Sequence, residues 1–194
     1  MKLKVALNSK SINALISQLN EIKTTILPNM IEYFLTRCCE EIKIKANKNL
    51  ETSGLGADVI SEIQGQWSIS VKGKKALLRN GEGRGYMVEF GVGEMGENNP
   101  HPKADLTYAY NIPTEYKDQY GQWRFRVDST QEIDLAVGFY KIVEINEYET
   151  GESKLTIKTK GSPPIMFLYN ALLDFKTEKL YEKLWRETKI KFIK

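Results

Sequence analysis

The chain has 194 residues, of which 41% are hydrophobic and 27% charged, a composition typical of a single folded domain. Its 28 basic and 25 acidic residues leave a formal net charge of +3, too near neutrality to indicate a nucleic-acid scavenger or a membrane-surface binder. The first residues lack the apolar run of a signal peptide, and no segment approaches the length of a membrane span. We therefore expect a protein that is made and kept in a cytoplasm.

Helical spacing of apolar residues predicts two helices at the start of the chain. Ser9 or Ser11 can cap the first helix, whose apolar face holds Ile12, Leu15, Ile16, Leu19, Ile22 and Ile26. Pro28 predicts a break or kink, after which a second helix runs to about Asn49.

The adjacent residues Cys38 and Cys39 lie within the second helical pattern, which sets their side chains roughly 100° apart on the helix. Such a pair suits neither a metal site nor an ordinary structural disulfide. The pattern favours buried or half-buried thiols.

In the middle of the chain the spacing changes from helical to alternating, which predicts strands. The alternating sets lie at residues 67–71, 86–90, 123–127, 133–139 and 155–159, with Gly- and Asn-rich loops predicted at 80–85 and 91–102. Ser162-Pro163-Pro164 then precedes one last helix. The prediction is a single α+β domain over residues 1–194, with the N-terminal helices and a C-terminal helix packed on an antiparallel β-sheet or small β-sandwich.

The segment Gly91-Val92-Gly93-Glu94-Met95-Gly96 fits the dinucleotide-binding pattern GxGxxG literally. That pattern binds a pyrophosphate only when its last glycines open a helix, and here Asn98-Asn99-Pro100-His101-Pro102 follows. We therefore predict no cofactor and interpret residues 91–102 as a flexible or interface-forming loop.

The only histidine is His101, between two prolines, so the sequence excludes multi-histidine metal sites. The flanking prolines favour an extended surface segment whose imidazole makes a hydrogen bond or contacts another subunit. Glu89 alternates with its apolar neighbours, which predicts that it points to the opposite sheet face and pairs with Arg84 or with a partner subunit. We predict no metal and no catalytic residue.

Arg124 and Arg126 are interleaved with Trp123 and Phe125, an arrangement that could hold a single nucleic-acid strand by stacking. The alternation instead favours a half-buried antiparallel strand with both arginines on one face. An arginine face could still line a channel that carries DNA.

The segment Val88-Glu89-Phe90-Gly91-Val92-Gly93 resembles the Val-Glu-Phe-Gly-Thr-Gly signature of the minor tail or tail-completion proteins of tailed phages, the family of the lambda Z protein. Valine stands here where threonine is usual. Three further segments resemble the family in order and spacing: Asn98-Asn99-Pro100-His101-Pro102, Gln122-Trp123-Arg124-Phe125 and Pro163-Pro164-Ile165-Met166-Phe167-Leu168-Tyr169-Asn170-Ala171. Residues 105–160 form a longer region than in the simplest members, which indicates a β-rich insertion.

The resemblance implies a non-enzymatic virion protein that forms a ring at the tail top or neck, with six copies as one candidate number. It also implies assembly in the host cytoplasm and contacts with a tail terminator or tail-tube protein and with head-closure or connector proteins, around a lumen through which DNA can pass, and no membrane partner. A ring repeats one interface until it closes, and exposed loops and terminal elements supply such interfaces. The candidate interface residues are Glu89, Gly91, Gly93, Met95, His101, Arg124, Arg126, Trp185, Arg186 and Phe192. For Trp185, core packing is an equally open interpretation.

Two other functions are compatible with the sequence. One is a nucleic-acid-binding module that uses Arg124, Arg126 and the basic C-terminal helix. The other is a hydrolase or nuclease with Glu89, Glu94 or His101 in its site.

Overall fold

The protein has an α+β fold, as predicted, with helices flanking a two-stranded antiparallel sheet and a separate three-stranded sheet. The computed structural model describes residues 9–81, 84–91, 93–103, 123–127, 142–148, 154–159 and 161–193. The chain divides into two compact units. Unit 1 comprises residues 1–43, 69–78 and 172–194, and unit 2 comprises residues 44–68 and 79–171.

The described helices are α1 (Ser9–Glu21), a π-helical segment (Ile22–Ile26), α2 (Leu27–Glu51), α3 (Ala57–Gly65), α4 (Arg84–Phe90), α5 (Gly93–Asn98), α6 (Phe167–Thr177) and α7 (Leu180–Phe192). The described strands are β1 (Trp67–Lys72), β2 (Lys75–Asn80), β3 (Trp123–Val127), β4 (Ile142–Tyr148) and β5 (Lys154–Thr159). Within these residues, no helix is long and apolar enough to cross a membrane.

Of the break or kink predicted at Pro28, the break is wrong, because helical structure continues without interruption from Ser9 to Glu51. The π-helical segment ends two residues before the proline, and the N–H of Leu27 donates to the carbonyl of Ile22, five residues back. A wider turn relieves the clash between a proline ring and the preceding turn. The chain therefore accommodates Pro28 by a local change of helix type.

β1 and β2 form a hairpin that turns at Gly73, whose φ of 60° favours glycine. The other sheet has the strand order β3-β5-β4, with both pairings antiparallel. The strands predicted at residues 67–71, 123–127 and 155–159 are confirmed. The set predicted at 133–139 lies outside the described residues.

The strand predicted at residues 86–90 is wrong, because Arg84–Phe90 forms the helix α4. Val88 and Glu89 are adjacent and both buried, whereas a strand on the surface of a core buries every second residue. The loop predicted at 91–102 also contains the short helix α5.

The last helix is two helices, α6 and α7, separated at Lys179, whose φ of 52° is left-handed. The sequence also predicts Leu172, Leu173, Leu180 and Leu184 on one side of a single last helix, and this prediction is wrong. Leu184 is buried, but Leu172 and Leu173 are exposed.

Each unit has its own buried residues. Those of unit 1 include Met30, Cys39, Phe175, Leu184 and Thr188, and those of unit 2 include Leu50, Val59, Ile63, Val88 and Phe167. In unit 2 the ring of Trp67 packs edge-on against Phe167, with 6.0 Å between ring centroids. Its indole N–H donates to the Oδ1 of Asn47 at 2.8 Å, so the half-buried ring keeps a polar partner.

Candidate functional site

Helix α6 begins without a capping side chain of its own. The two residues before it are Ile165 and Met166, whose side chains cannot accept a hydrogen bond from the free N–H groups of the first turn. Met166 also has a φ of 56°, a strained conformation for a side chain of this size. The helix start therefore depends on an acceptor from elsewhere in the chain.

Glu89 supplies that acceptor from a position 79 residues upstream of Leu168. The N–H of Leu168 donates to its Oε2 at 2.8 Å, and the N–H of Tyr169 donates to its Oε1 at 2.8 Å. These are the N–H groups that a local cap would satisfy, and a carboxylate there also interacts favourably with the helix dipole. Glu89 is thus a tertiary cap for α6.

His101 is the third partner of the Glu89 carboxylate. Its Nε2 lies 3.2 Å from Oε1, and its side chain is almost completely buried. The N–H of Lys103 donates to the other ring nitrogen, Nδ1, at 2.9 Å, which assigns the ring proton to Nε2. His101 is therefore a neutral imidazole that donates its proton-bearing nitrogen to Glu89.

Aromatic rings hold the imidazole in this position. The centroid of the Phe90 ring lies 4.4 Å from that of His101, and the Tyr169 ring stands edge-on at 5.1 Å. The prediction that His101 lies on an extended surface segment is wrong. The flanking prolines favour an extended backbone but do not keep the imidazole in water, and packing against two rings buries it.

Gly91 lets the chain segments around this carboxylate approach each other closely. It follows α4 with a φ of 77°, and its N–H donates to the carbonyl of Met87 at 2.7 Å, as at a glycine helix end. A Cβ at this position would lie 2.7 Å from the nitrogen of Pro164 and 2.9 Å from the carbonyl oxygen of Ser162. Both the conformation and the contact require glycine.

Backbone hydrogen bonds join the same segments. The N–H of Ile165 donates to the carbonyl of Val88 at 2.8 Å, and the N–H of Met166 donates to that of Glu89 at 3.3 Å. We call Glu89, Gly91, His101, Pro164, Leu168 and Tyr169 the cap cluster. All six belong to unit 2.

The cap cluster is built to hold segments together, because both carboxylate oxygens of Glu89 already accept hydrogen bonds. The prediction that Glu89 faces outward from a sheet towards Arg84 or a partner subunit is wrong, since its carboxylate is turned into the chain. The carboxylate is therefore occupied by contacts within the chain.

A cavity of about 720 Å³ borders the cap cluster, and its lining includes Arg79, Asn80, Met87, Phe90, Phe167 and Leu168. The Oδ1 of Asn80 is buried without a hydrogen-bond partner among the described residues. The same oxygen would clash with a Cβ at Gly85, so a larger residue there would displace it. The cavity combines largely apolar walls with the guanidinium of Arg79.

The other predicted interface residues do not join the cap cluster. Gly93 begins α5 and Met95 is half-buried within it. Arg124 and Arg126 pair in register with Lys158 and Thr156 of β5.

Three predicted interface residues lie on α7 in unit 1. Trp185 packs edge-on against Phe34 with 5.1 Å between centroids, which favours the core interpretation, and Phe192 lies 5.7 Å from Tyr33. Arg186 is exposed and donates to the carbonyl of Glu182 at 3.4 Å.

The cysteines are free, with Cys39 buried and Cys38 half-buried, as predicted. Burial, with a smaller contribution from Cys39, raises the pKa of the Cys38 thiol to about 11. Burial and the neighbouring Glu40 also raise the pKa of Cys39. Both thiols therefore stay protonated at neutral pH and are poor nucleophiles.

Within the described part of the chain, no group of three or more His, Cys, Asp or Glu side chains is arranged to hold a metal ion. No protein-family model, curated protein or solved structure matches the chain. The function must therefore be argued from the residues and their contacts.

Proposed function

We propose that this chain is a non-enzymatic structural protein of a tailed phage or a phage-tail-like particle. Copies of it form a ring at the tail top or neck, which completes the tail and joins it to the head-proximal connector. The resemblance of four sequence segments to tail-completion proteins motivates this proposal. The geometry of the cap cluster supports it in two ways.

First, three of the four resembling segments meet at the cap cluster. Glu89 and Gly91 come from the first segment, His101 from the second, and Pro164, Leu168 and Tyr169 from the last. Each segment supplies a group that another segment needs: a carboxylate, an imidazole donor or two free N–H groups. These contacts give a physical reason for the three segments to occur together in one chain, which separate chance matches would not provide.

Second, the side chains that could take part in catalysis make hydrogen bonds within the chain. Glu89 and His101 are two of the three candidates for a hydrolytic site, beside Glu94, and each satisfies the hydrogen-bonding needs of the other and of the backbone. This arrangement favours a rigid scaffold over an acid–base pair, because a catalytic pair needs a free lone pair or proton directed at a substrate.

The test is to measure the chain in purified particles from the host that encodes it. Quantitative mass spectrometry should find a small whole number of copies per particle, and gold-labelled antibody should mark one end of the tail. Disrupting the gene should yield unjoined or incomplete tails, and supplying the intact gene should restore them. Absence of the chain from the particles would overturn the proposal.

A nucleic-acid-binding module is the alternative, and one observation favours it. The register places Arg124 of β3 directly opposite Lys158 of β5, while Glu144 of β4 is opposite Lys158 on its other side. Phosphate contacts by basic residues give an affinity that falls steeply with salt. Retardation of DNA by the purified chain at low salt, lost in an Arg124→Ala/Arg126→Ala variant, would support this alternative.

A further inference from the structure

The three-stranded sheet of unit 2 has one outer edge on β3 and another on β4, because β5 lies between them. Among the described residues, no other strand pairs with either edge. An outer strand carries backbone N–H and C=O groups that can pair with a strand of another molecule. A second molecule can therefore extend this sheet at either side.

The two edges differ in charge. β3, with the sequence WRFRV, contains Arg124 and Arg126 and no acidic residue. β4, with the sequence IVEINEY, contains Glu144 and Glu147 and no basic residue. Charges on an edge strand disfavour pairing with an edge of the same sign and favour pairing with an edge of the opposite sign. We call β3 the basic edge and β4 the acidic edge.

The register places opposite charges of the two edges on the same face of the sheet. Lys158 of β5 pairs with Arg124 on one side and with Glu144 on the other. Two residues further along the outer strands, Arg126 and Asn146 occupy the next pair of positions on this face. When the sheet of one copy continues into that of another, the arginine positions and the Glu144 position therefore share one face.

The strand directions allow the sheet to continue from copy to copy. β3 and β4 run in the same direction, because each is antiparallel to β5. A second copy can place its basic edge in parallel beside the acidic edge of the first. This contact joins two different surfaces, so each growing assembly keeps one free edge of each kind. Such contacts repeat until a ring closes, whereas a contact between identical surfaces stops at a pair.

We infer that the basic edge of one copy pairs with the acidic edge of the next, so that the partner of this sheet is a second copy of the same chain. A contact along the five residues of β3 is small beside the roughly 800 Å² per partner of a standard stable interface. Each contact is accordingly weak alone and gains strength when the ring closes. The inference names where copies meet, and it rests on the proposed function for the ring itself.

Exchanging the residues of the two edges tests this contact. The β3 variant is Arg124→Glu/Arg126→Asn, and the β4 variant is Glu144→Arg/Asn146→Arg. The exchange chain carries all four substitutions and keeps the net charge of the original chain. A matched control, Lys72→Glu/Lys74→Asn, changes the net charge as the β3 variant does, at exposed positions outside this sheet.

The measured quantity is the mass of each full purified chain, by light scattering and sedimentation. Concentrations reach the order of 100 µM, where contacts with a micromolar Kd are populated. Circular dichroism and thermal melting at low concentration verify that each chain is folded. Milder variants, Arg124→Gln/Arg126→Gln and Glu144→Gln, replace any variant that does not fold, and each should raise the Kd of association about tenfold.

We expect the wild-type mass to rise above that of one chain as concentration increases, and the control to behave in the same way. The β3 variant and the β4 variant should each remain single chains, because their two edges then carry like charges on the shared face. An equimolar mixture of these two variants should associate again, since each supplies the edge that the other lacks. The exchange chain should associate by itself.

Four results would each overturn the inference. They are a wild type that stays a single chain throughout, an edge variant that associates undiminished, a control that loses association equally, and a mixture or exchange chain that does not regain it. Recovery in the mixture is the sharpest readout, because a variant that has merely lost stability would not recover when another variant is added.

This inference and the proposed function can fail separately. If the β3 variant enters particles in normal copy number, the ring proposal stands and the edge inference fails. If the chain associates through its edges but is absent from particles, the edge inference stands and the proposed function fails.

Discussion

The cap cluster and helix α1 show two opposite ways of dealing with groups that a helix leaves unsatisfied. At the cap cluster, free N–H groups of α6 find their acceptor inside the chain, in a side chain 79 residues away. At α1, the apolar residues Ile12, Ile16 and Leu19 are 43%, 51% and 48% exposed. The hydrogen-bonding groups of the first region stabilise the fold, whereas apolar side chains of the second remain exposed.

This difference predicts where substitutions act. Changes at the cap cluster should lower the free energy of unfolding of the isolated chain, because its contacts exist within one molecule. Changes at the exposed apolar residues of α1 should leave that quantity nearly unchanged, since substitutions at exposed positions rarely change stability by more than about 0.5 kcal/mol.

The largest effect is expected from Glu89→Ala. It removes the cap of α6 and leaves a buried imidazole N–H and two backbone N–H groups without an acceptor, at a cost of about 4 kcal/mol. Urea unfolding should show the loss directly. Glu187→Ala, at an exposed position of α7, is the matched control and should cost little. Equal losses in the two variants would contradict the role of Glu89 as a cap.

A somewhat smaller loss, about 3 kcal/mol, is expected for Gly91→Ala, because a methyl group there combines a left-handed backbone with contacts that force Pro164 to move. Gly54→Ala separates the two causes, since Gly54 has a φ of 80° but nothing within 4 Å of a new Cβ. Thermal unfolding should rank the two variants in that order. If Gly54→Ala is the more damaging, the close approach at Gly91 has no energetic weight.

The smallest perturbation is chemical labelling of Cys38, which reports how far its part of α2 is buried. Because burial raises its pKa to about 11 from 9.0, the thiolate fraction at pH 8 should fall by a factor of about 100. Alkylation of a Cys39→Ala variant should be correspondingly slow when folded, fast in denaturant, and should accelerate as pH rises towards 11. Fast alkylation of the folded chain at pH 8 would show that this part of α2 is exposed.

The N-terminal helices could be predicted because their apolar spacing extends over many turns, and helical structure at the C-terminal end could be predicted without its division at Lys179. The segment 86–90 could not, since five residues with alternating apolar character fit a strand as well as one side of a short helix. Tertiary contacts decide between strand and helix here. Val88 and Glu89 are both buried, and the hydrogen-bond partners of Glu89 lie far along the chain. The sequence of residues 86–90 alone does not indicate these long-range contacts.

One signal for the cap cluster was nevertheless present. A helix that follows Pro163-Pro164 and begins after Ile165 and Met166 has no Ser, Thr, Asp or Asn where a cap belongs. A missing local cap at a buried helix start predicts a distant acceptor, and a lone glutamate among apolar residues is a natural candidate. The prolines around His101 misled because they restrict the backbone and say nothing about the burial of the side chain between them.

The π-helical segment Ile22–Ile26 has a geometric consequence for the apolar residues of α1. A π turn contains more residues than an α turn, so it offsets the angular phase of everything before it from everything after it. A helical wheel drawn for α1 therefore does not continue into α2. Deleting one residue here would turn the apolar residues of α1 by about 100° relative to α2 without changing any of them. The number of residues in this segment therefore determines in which direction the apolar residues of α1 point relative to α2.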